Sequence, residues 1–324
     1  MPFRLRRREP VADGMKRLAR AQVRLVLACL TASEGPEPRQ VHEARQRLKR
    51  LRAALRLLRG SLPQELASRG HAICRTTARS LSASRDAAVV QRTFKRLCES
   101  RKVARQVDVP AWERHLADVA HTLTAAVPNV TPTRPVVKPE LIADLEAWHE
   151  EIARWPIHAG GWRLLAGGFE HTYRAGRRAR REAALRWGAA EFHDWRKRVQ
   201  DRWHHVRILR GMRRPELAQL AETHRRLARL LGRDHDWAML GDWLNRAAGP
   251  EAERAVLKTH LTRAHDAVRR RALKLGARLW SQEPRRMEAE YHALWRAWHR
   301  QPYVVRVEPE EPEALPTAES VQSA

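Results

Sequence analysis

The sequence predicts an all-α protein, a compact helical bundle made of two pseudo-symmetric halves related by internal duplication. Three observations predict it. Apolar residues recur at helical rather than alternating spacing, turn residues cut the body into helix-length pieces, and one basic helix occurs twice with the same kind of segment after it.

Breaks fall at Gly35-Pro36-Glu37-Pro38, from Gly60 to Pro63, at Pro110, from Pro128 to Pro139, at Gly160-Gly161, from Gly211 to Pro215, at Gly249-Pro250 and at Pro284. Glycine ends helices readily and proline does not continue them, so these breaks delimit about a dozen helices of ordinary length. The stretch 128–139 carries Pro128, Pro132, Pro135 and Pro139 and is the one extended linker of the interior. It divides a helical domain of residues 1–305 into halves spanning 10–127 and 140–300.

Charge sets the next constraint. The chain has 63 Lys+Arg, 55 of them arginine, against 37 Asp+Glu, a formal charge of +26. The last stretch, 306–324, has one Arg and five Glu (Glu308, Glu310, Glu311, Glu313, Glu319) among three prolines, so the body alone is near +30. With almost no large apolar side chain, that acidic tail does not repay its ordering entropy and is expected to be disordered. A body so basic calls for an anionic partner, while net charge alone does not choose among nucleic acid, membrane and polyphosphate. Cys29, Cys74 and Cys98 show no C-x-x-C spacing and no disulfide framework. The basic start, 1–8, is not followed by an apolar run of signal-peptide type, and no 18-residue apolar run occurs. The expectation is a cytoplasmic, reducing protein without a membrane partner.

The duplication is read from two blocks. Residues 42–60 align without a gap on 193–211, superposing His42 on His193, Glu43 on Asp194, Arg45 on Arg196, Arg47 on Arg198, Arg56 on Arg207 and Gly60 on Gly211. A second block at nearly the same offset matches Ala78, Arg79, Leu81, Asp86 and Ala88 to Ala228, Arg229, Leu231, Asp236 and Ala238. Asp86 and Asp236 are expected in pre-helical positions, capping a helix or orienting an arginine.

At about 100° per residue, His42, Arg45, Lys49, Arg52 and Arg56 share one side of a helix over roughly twenty ångströms. Ala44, Leu48, Leu51, Leu55 and Leu58 share the other. The second copy places His193, Arg196, Lys197, Gln200, His204 and Arg207 opposite Trp195, Val199, Val206 and Leu209. A merely solvated face interleaves acids to relieve like-charge pairs, yet the first stripe has none of its own, which points to an extended phosphate chain as its counter-charge. Further basic clusters fall at helical spacing: Arg20 and Arg24; Arg75, Arg79 and Arg85; Tyr173, Arg174, Arg177, Arg178 and Arg181; and Arg225, Arg229 and Arg233. The duplication suggests that several of them converge on one groove.

The pattern His-x-x-Arg-x-x-x-Lys-Arg-Leu-Arg at 42–52, its degenerate copy from His193, and the Leu-x-x-x-x-Asp-x-Ala motifs ending at Ala88 and Ala238 resemble the CHAD family, the conserved histidine α-helical domain, over nearly the whole body. That resemblance implies helical halves around a basic cavity or groove that binds inorganic polyphosphate. It further implies association with polyphosphate granules or with polyphosphate-metabolising enzymes. Carried over residue by residue, it makes His42, Arg45, Lys49, Arg52, His193, Arg196 and Lys197 ligand contacts. Gln200 and Trp203-His204-His205 depart from the family pattern, and with no Glu-x-Glu-x-Lys strand of a tunnel-type triphosphate domain in the sequence the expectation is a stand-alone member.

Rival chemistries fare worse. Sixteen histidines show no H-E-x-x-H and no paired Cys/His spacing, so no metal site is expected. No Gly-rich phosphate loop and no Mg²⁺-holding carboxylate set stands out, so a binding protein without cofactor is expected rather than an enzyme. Nonspecific nucleic-acid binding at low salt is the alternative, but most of the twelve tryptophans fall on apolar helix faces, and the stripe at 42–56 has no aromatic on which bases would stack. His42 and His193 begin the two basic faces, where a bound phosphate chain is expected to raise their pKa.

Overall fold

The computed structural model describes residues 2–31, 36–81, 85–116, 137–212 and 215–300, the side chains of 85–88 excepted. The linker up to 136, the acidic tail and the side chains of Arg85 and Asp86 therefore lie outside the described residues. The described residues are helical and contain no β-strand. In order they form α1 (Val11–Leu30), α2 (Pro38–Leu57), α3 (Gln64–Ser80), α4 (Arg85–Cys98), α5 (Arg101–Ala104) and α6, helical over 109–116. Then come α7 (Pro139–Ala153), α8 (Arg163–Arg186), α9 (Ala189–Leu209), α10 (Pro215–Arg246), α11 (Glu251–Leu279) and α12 (Pro284–Arg300). No described helix is long and apolar enough to cross a membrane.

The two repeated basic helices, α2 and α9, pack on each other at the centre. Each is flanked by the helix before it, α1 or α8, and the helix after it, α3 or α10. The expected apolar faces are the buried ones: Ala44, Leu48, Leu51, Leu55 and Leu58 on α2, and Trp195, Val199, Val206 and Leu209 on α9. Each such leucine contributes about 1.5–3 kcal/mol by leaving water. Every tryptophan except the half-buried Trp187 is buried, so these rings are core. Helix α2 opens on a capping box, with Pro38 in its first turn and the Glu37 N–H donating to Gln40 Oε1 at 2.8 Å.

Gly168 sets the crossing of α8 over the end of α2, because a Cβ there would overlap the carbonyl oxygens of Arg56 and Leu57. Since the obstacle is backbone, Gly168→Ala is expected to cost roughly 1–3 kcal/mol, a fall in thermal midpoint of about 2–10 °C. Calorimetry beside the wild type measures it, and an unchanged midpoint would mean that the helices part freely.

Two hydrophobic clusters share the same long helices. The larger gathers α1, α2, α7, α8, α9 and α12 with Leu217, Leu227 and Leu231 of α10 and Ala272 of α11. The smaller gathers Phe94, Val103 and Trp112 with Trp237, Leu240 and Trp243 of α10 and Leu257 of α11. Helix α4 therefore packs on α10, and α7, which follows the linker, packs on α1 and α3, so the packing crosses the division drawn at 128–139. The expectation for Asp236 is also corrected. It sits inside the continuous helix α10, not ahead of one, because Gly232 is tolerated within the helix and the segment matching the α3–α4 break stays helical.

An ionic node ties the second half together. Arg269 on α11 donates from Nε to Asp234 Oδ1 of α10 at 2.7 Å and from Nη1 to the Trp187 carbonyl, and its guanidinium lies over the Phe192 ring. His265 Nε2 approaches the same aspartate oxygen at 2.7 Å. Trp187 takes a left-handed φ of 55° at the C-terminus of α8, a conformation costly for a bulky residue. Its indole N–H, donating to Asp266 at 2.9 Å, helps hold it there.

Candidate anion-binding site

The α2 stripe does not present five equivalent cations. Arg45 turns to the end of α3, where its Nη1 donates to the carbonyls of Ala78 at 2.9 Å and Leu81 at 3.3 Å. It acts there as a C-terminal cap, a place where cations are favoured. His42 lies 3.3 Å from the amide nitrogen of Gln46. Lys49 lies near His204, whose imidazole burial holds far below its usual pKa, with Arg207, Arg50 and Lys49 pressing it down further. Arg56 reaches across to α9 and donates to Asp201 at 2.8 Å.

Arg52 is the stripe residue left for a ligand. It is half-buried, makes no ion pair or hydrogen bond among the described residues, and its Nε is buried without an acceptor. Its pKa is lowered by burial first, then by Arg56 and, more weakly, by Arg75, while Asp201 and Cys74 oppose. Arg75 of α3 is exposed. His71 of α3 feels all three cations: its pKa is lowered to about 4 by burial and then by Arg56, Arg52 and Arg75. Cationic groups crowded so that each disfavours the others' charge need an anion to relieve them. A second patch adjoins through Arg198: His171 of α8 is held low by burial, then by Arg59, Arg198, Arg178 and Arg174.

The remaining candidates divide among other surroundings. Arg20 and Arg24 line a cleft of about 440 Å³ between α1 and α7, with Lys16, Arg17 and His149, and Arg20 lies 3.4 Å from Glu150. On α8, Arg174 pairs with Glu170 and Arg177 with Glu283, both at 2.6 Å, while Arg178 and Arg181 are exposed. On α10, Arg225 and Arg229 share Glu222 at 2.7 and 3.5 Å. Arg233 is lowered by burial and then by Arg96, Arg229 and Arg271, with Asp236 opposing, a cationic group spanning α4, α10 and α11. Arg79 is an exposed residue of α3.

Two candidates lie elsewhere than a ligand face requires. Tyr173 is buried, donates its hydroxyl to the Gln282 carbonyl at 3.1 Å and stands beside Trp280. Arg207 is 7 % exposed and lies over the Trp203 ring. Helical spacing groups residues around one axis but carries no information about what packs on top; α12 packs on α8, and Phe3 stands against His204 one turn before Arg207.

In the second copy, the His193 ring lies tilted against that of His235, with centroids 5.0 Å apart. Burial, then Lys197 and Arg196, lower its pKa against the pull of Asp194 and Asp234. Lys197 lies 4.0 Å from Asp194. The residues that sequence reasoning missed are Asp201, His71, Arg59, His171 and Arg198; only the match of Arg47 to Arg198 pointed at any of them. Among the described residues, no three His, Cys, Asp or Glu side chains come close enough to hold a metal ion.

Comparison with known proteins supplies the rest. A family model described as the CHAD domain matches residues 17–245. The crystal structure of the CHAD domain from the plant Ricinus communis aligns with a TM-score of 0.50 at 17% identity, over 90% of this chain and 97% of that one, a likeness of fold. No curated protein matches the chain.

Proposed function

We propose that this chain, which belongs to the CHAD domain family, binds inorganic polyphosphate on the face formed by α2 and α3 and acts through that binding rather than as an enzyme. The observation that carries the reading is Arg52, half-buried with an Nε that meets no acceptor and with no ion pair among the described residues, on a face it shares with the exposed Arg75, whose charge and that of Arg52 both press on His71. An extended phosphate chain offers closely spaced charges that several guanidiniums neutralise together, and arginine pairs with phosphate more specifically than lysine does. The biological role follows as association with polyphosphate granules or regulation of polyphosphate-metabolising enzymes.

Nucleic acid is the competitor for the same charge. Base stacking needs exposed aromatics, and every tryptophan except Trp187 is buried, which favours the simpler phosphate chain. The test titrates the full chain with long-chain polyphosphate across a salt series, with single-stranded DNA as competitor. The logarithm of affinity is expected to fall by about 0.7 per phosphate contacted for each decade of salt. Polyphosphate should win at physiological salt. A flat salt dependence overturns the electrostatic reading, and DNA winning on a per-phosphate basis transfers the site to nucleic acid.

A further inference from the structure

The acid that meets the basic face comes from the other repeat. Asp201 on α9 is 5% exposed; its Oδ1 accepts from Arg56 Nη1 at 2.8 Å, while its Oδ2 is buried with no donor. The duplication sets Asp201 opposite Arg50, so at this one place the second copy carries an acid where the first carries a base. Arg198 and Arg52 also bear on this carboxylate, and their attraction opposes the burial that disfavours its ionisation. A buried carboxylate with one oxygen unused costs the fold more than a neutral side chain of the same shape would. Packing alone therefore gives no reason for an acid here.

We infer that Asp201 is an internal counter-ion, standing where a phosphate oxygen would otherwise sit and holding Arg56 away from external anions. The inference rests on reading this face as a polyanion site. On it, Arg52 and Arg75 meet the ligand while Arg56 is withheld, so the face binds less tightly than its arginine content allows. Asp201 touches no ligand; it positions Arg56.

The test uses the full chain, with long-chain polyphosphate and single-stranded DNA titrated separately. Asp201→Asn keeps the shape and removes the charge. It is expected to tighten polyphosphate binding by about fivefold or more and to steepen the salt slope by about 0.7, one more phosphate contacted. Adding Arg56→Gln to that variant should return both to wild-type values, and Arg56→Gln alone should change affinity by less than about twofold. Unchanged or weaker binding by a folded Asp201→Asn overturns the inference, as does a loss above about fivefold for Arg56→Gln alone. The second result decides the matter if Asp201→Asn does not fold. Failure of the polyphosphate reading looks different: the wild type then prefers DNA, and the same variant-to-wild-type ratios are read with DNA as the probe.

Discussion

Reversing the charge of Arg52 and Arg75 together, as Arg52→Glu/Arg75→Glu, is expected to weaken polyphosphate binding by on the order of 100-fold with helical content unchanged. Two charge-assisted contacts at about 1.5 kcal/mol each give that factor. Both residues are suited to the experiment because neither makes an ion pair among the described residues, so their loss breaks no internal bridge. Arg45 is not suited to it. Its guanidinium caps α3, and its reversal would place a carboxylate against the carbonyls of Ala78 and Leu81. Arg20→Glu/Arg24→Glu, in the cleft between α1 and α7, serves as a matched control of equal charge change and is expected to cost less than about tenfold through the overall field alone. Equal losses for the two double variants would mean that net charge, not the α2–α3 face, governs binding.

Acid should unfold the protein well before its carboxylates are protonated. His205 and His224 are fully enclosed, and burial lowers the pKa of each to about 3; His204 is held well below its ordinary value by the same cause. His71 follows at about 4. A folded-state pKa below the unfolded value means that the unfolded chain takes up the proton first. These groups thus contribute stability fully present above about pH 6.5 and lost as pH falls toward their folded values. Each fully buried histidine removes up to about 1.4 kcal/mol per pH unit in that window, so three of them nearly exhaust a typical stability within two or three units. Asp201 acts in the opposite sense, since burial raises its pKa and protonation there favours the folded chain. One carboxylate does not offset three imidazoles. Urea denaturation from pH 7.5 to 4.5 measures the effect, with a steep loss of midpoint below about pH 6 as the expected result. His224→Gln should lessen that slope by about one proton; a pH-independent midpoint would show that these rings are hydrated in the folded chain.

The fold was largely legible because burial and periodicity are local properties. Leu48, Leu51 and Leu55 announce a buried face whatever packs on it, and Gly60, Gly160-Gly161 and Pro284 mark the breaks between helices by their own stereochemistry. The basic character of α2 was legible for the same reason. Partnership was not. That Arg45 would find the end of α3, that Asp201 would cross from α9 to Arg56, and that α12 would cover Tyr173 all depend on which helices meet, which a single strand of spacing does not encode. The continuity of α10 past Asp236 escaped as well, because in the first copy the matching segment ends one helix and begins another. Two sequences can thus share residues in register and differ in whether one helix or two contain them.

That unbent helix has a wider consequence. Leu231 of α10 lies in one apolar cluster and Trp237 in the other, with fewer than two turns between them, and α11 spans the same two clusters. Helix α10 is therefore a ridgepole under which both roofs are hung. Among the described residues, α4 and α5 bury Phe94 and Val103 against Trp237, Leu240 and Trp243 of α10 and Leu257 of α11, as a tenon sits in its mortise. Helices from before and after 128–139 therefore share one joint, and a substitution that loosens either apolar cluster is expected to reach the other along the same rod.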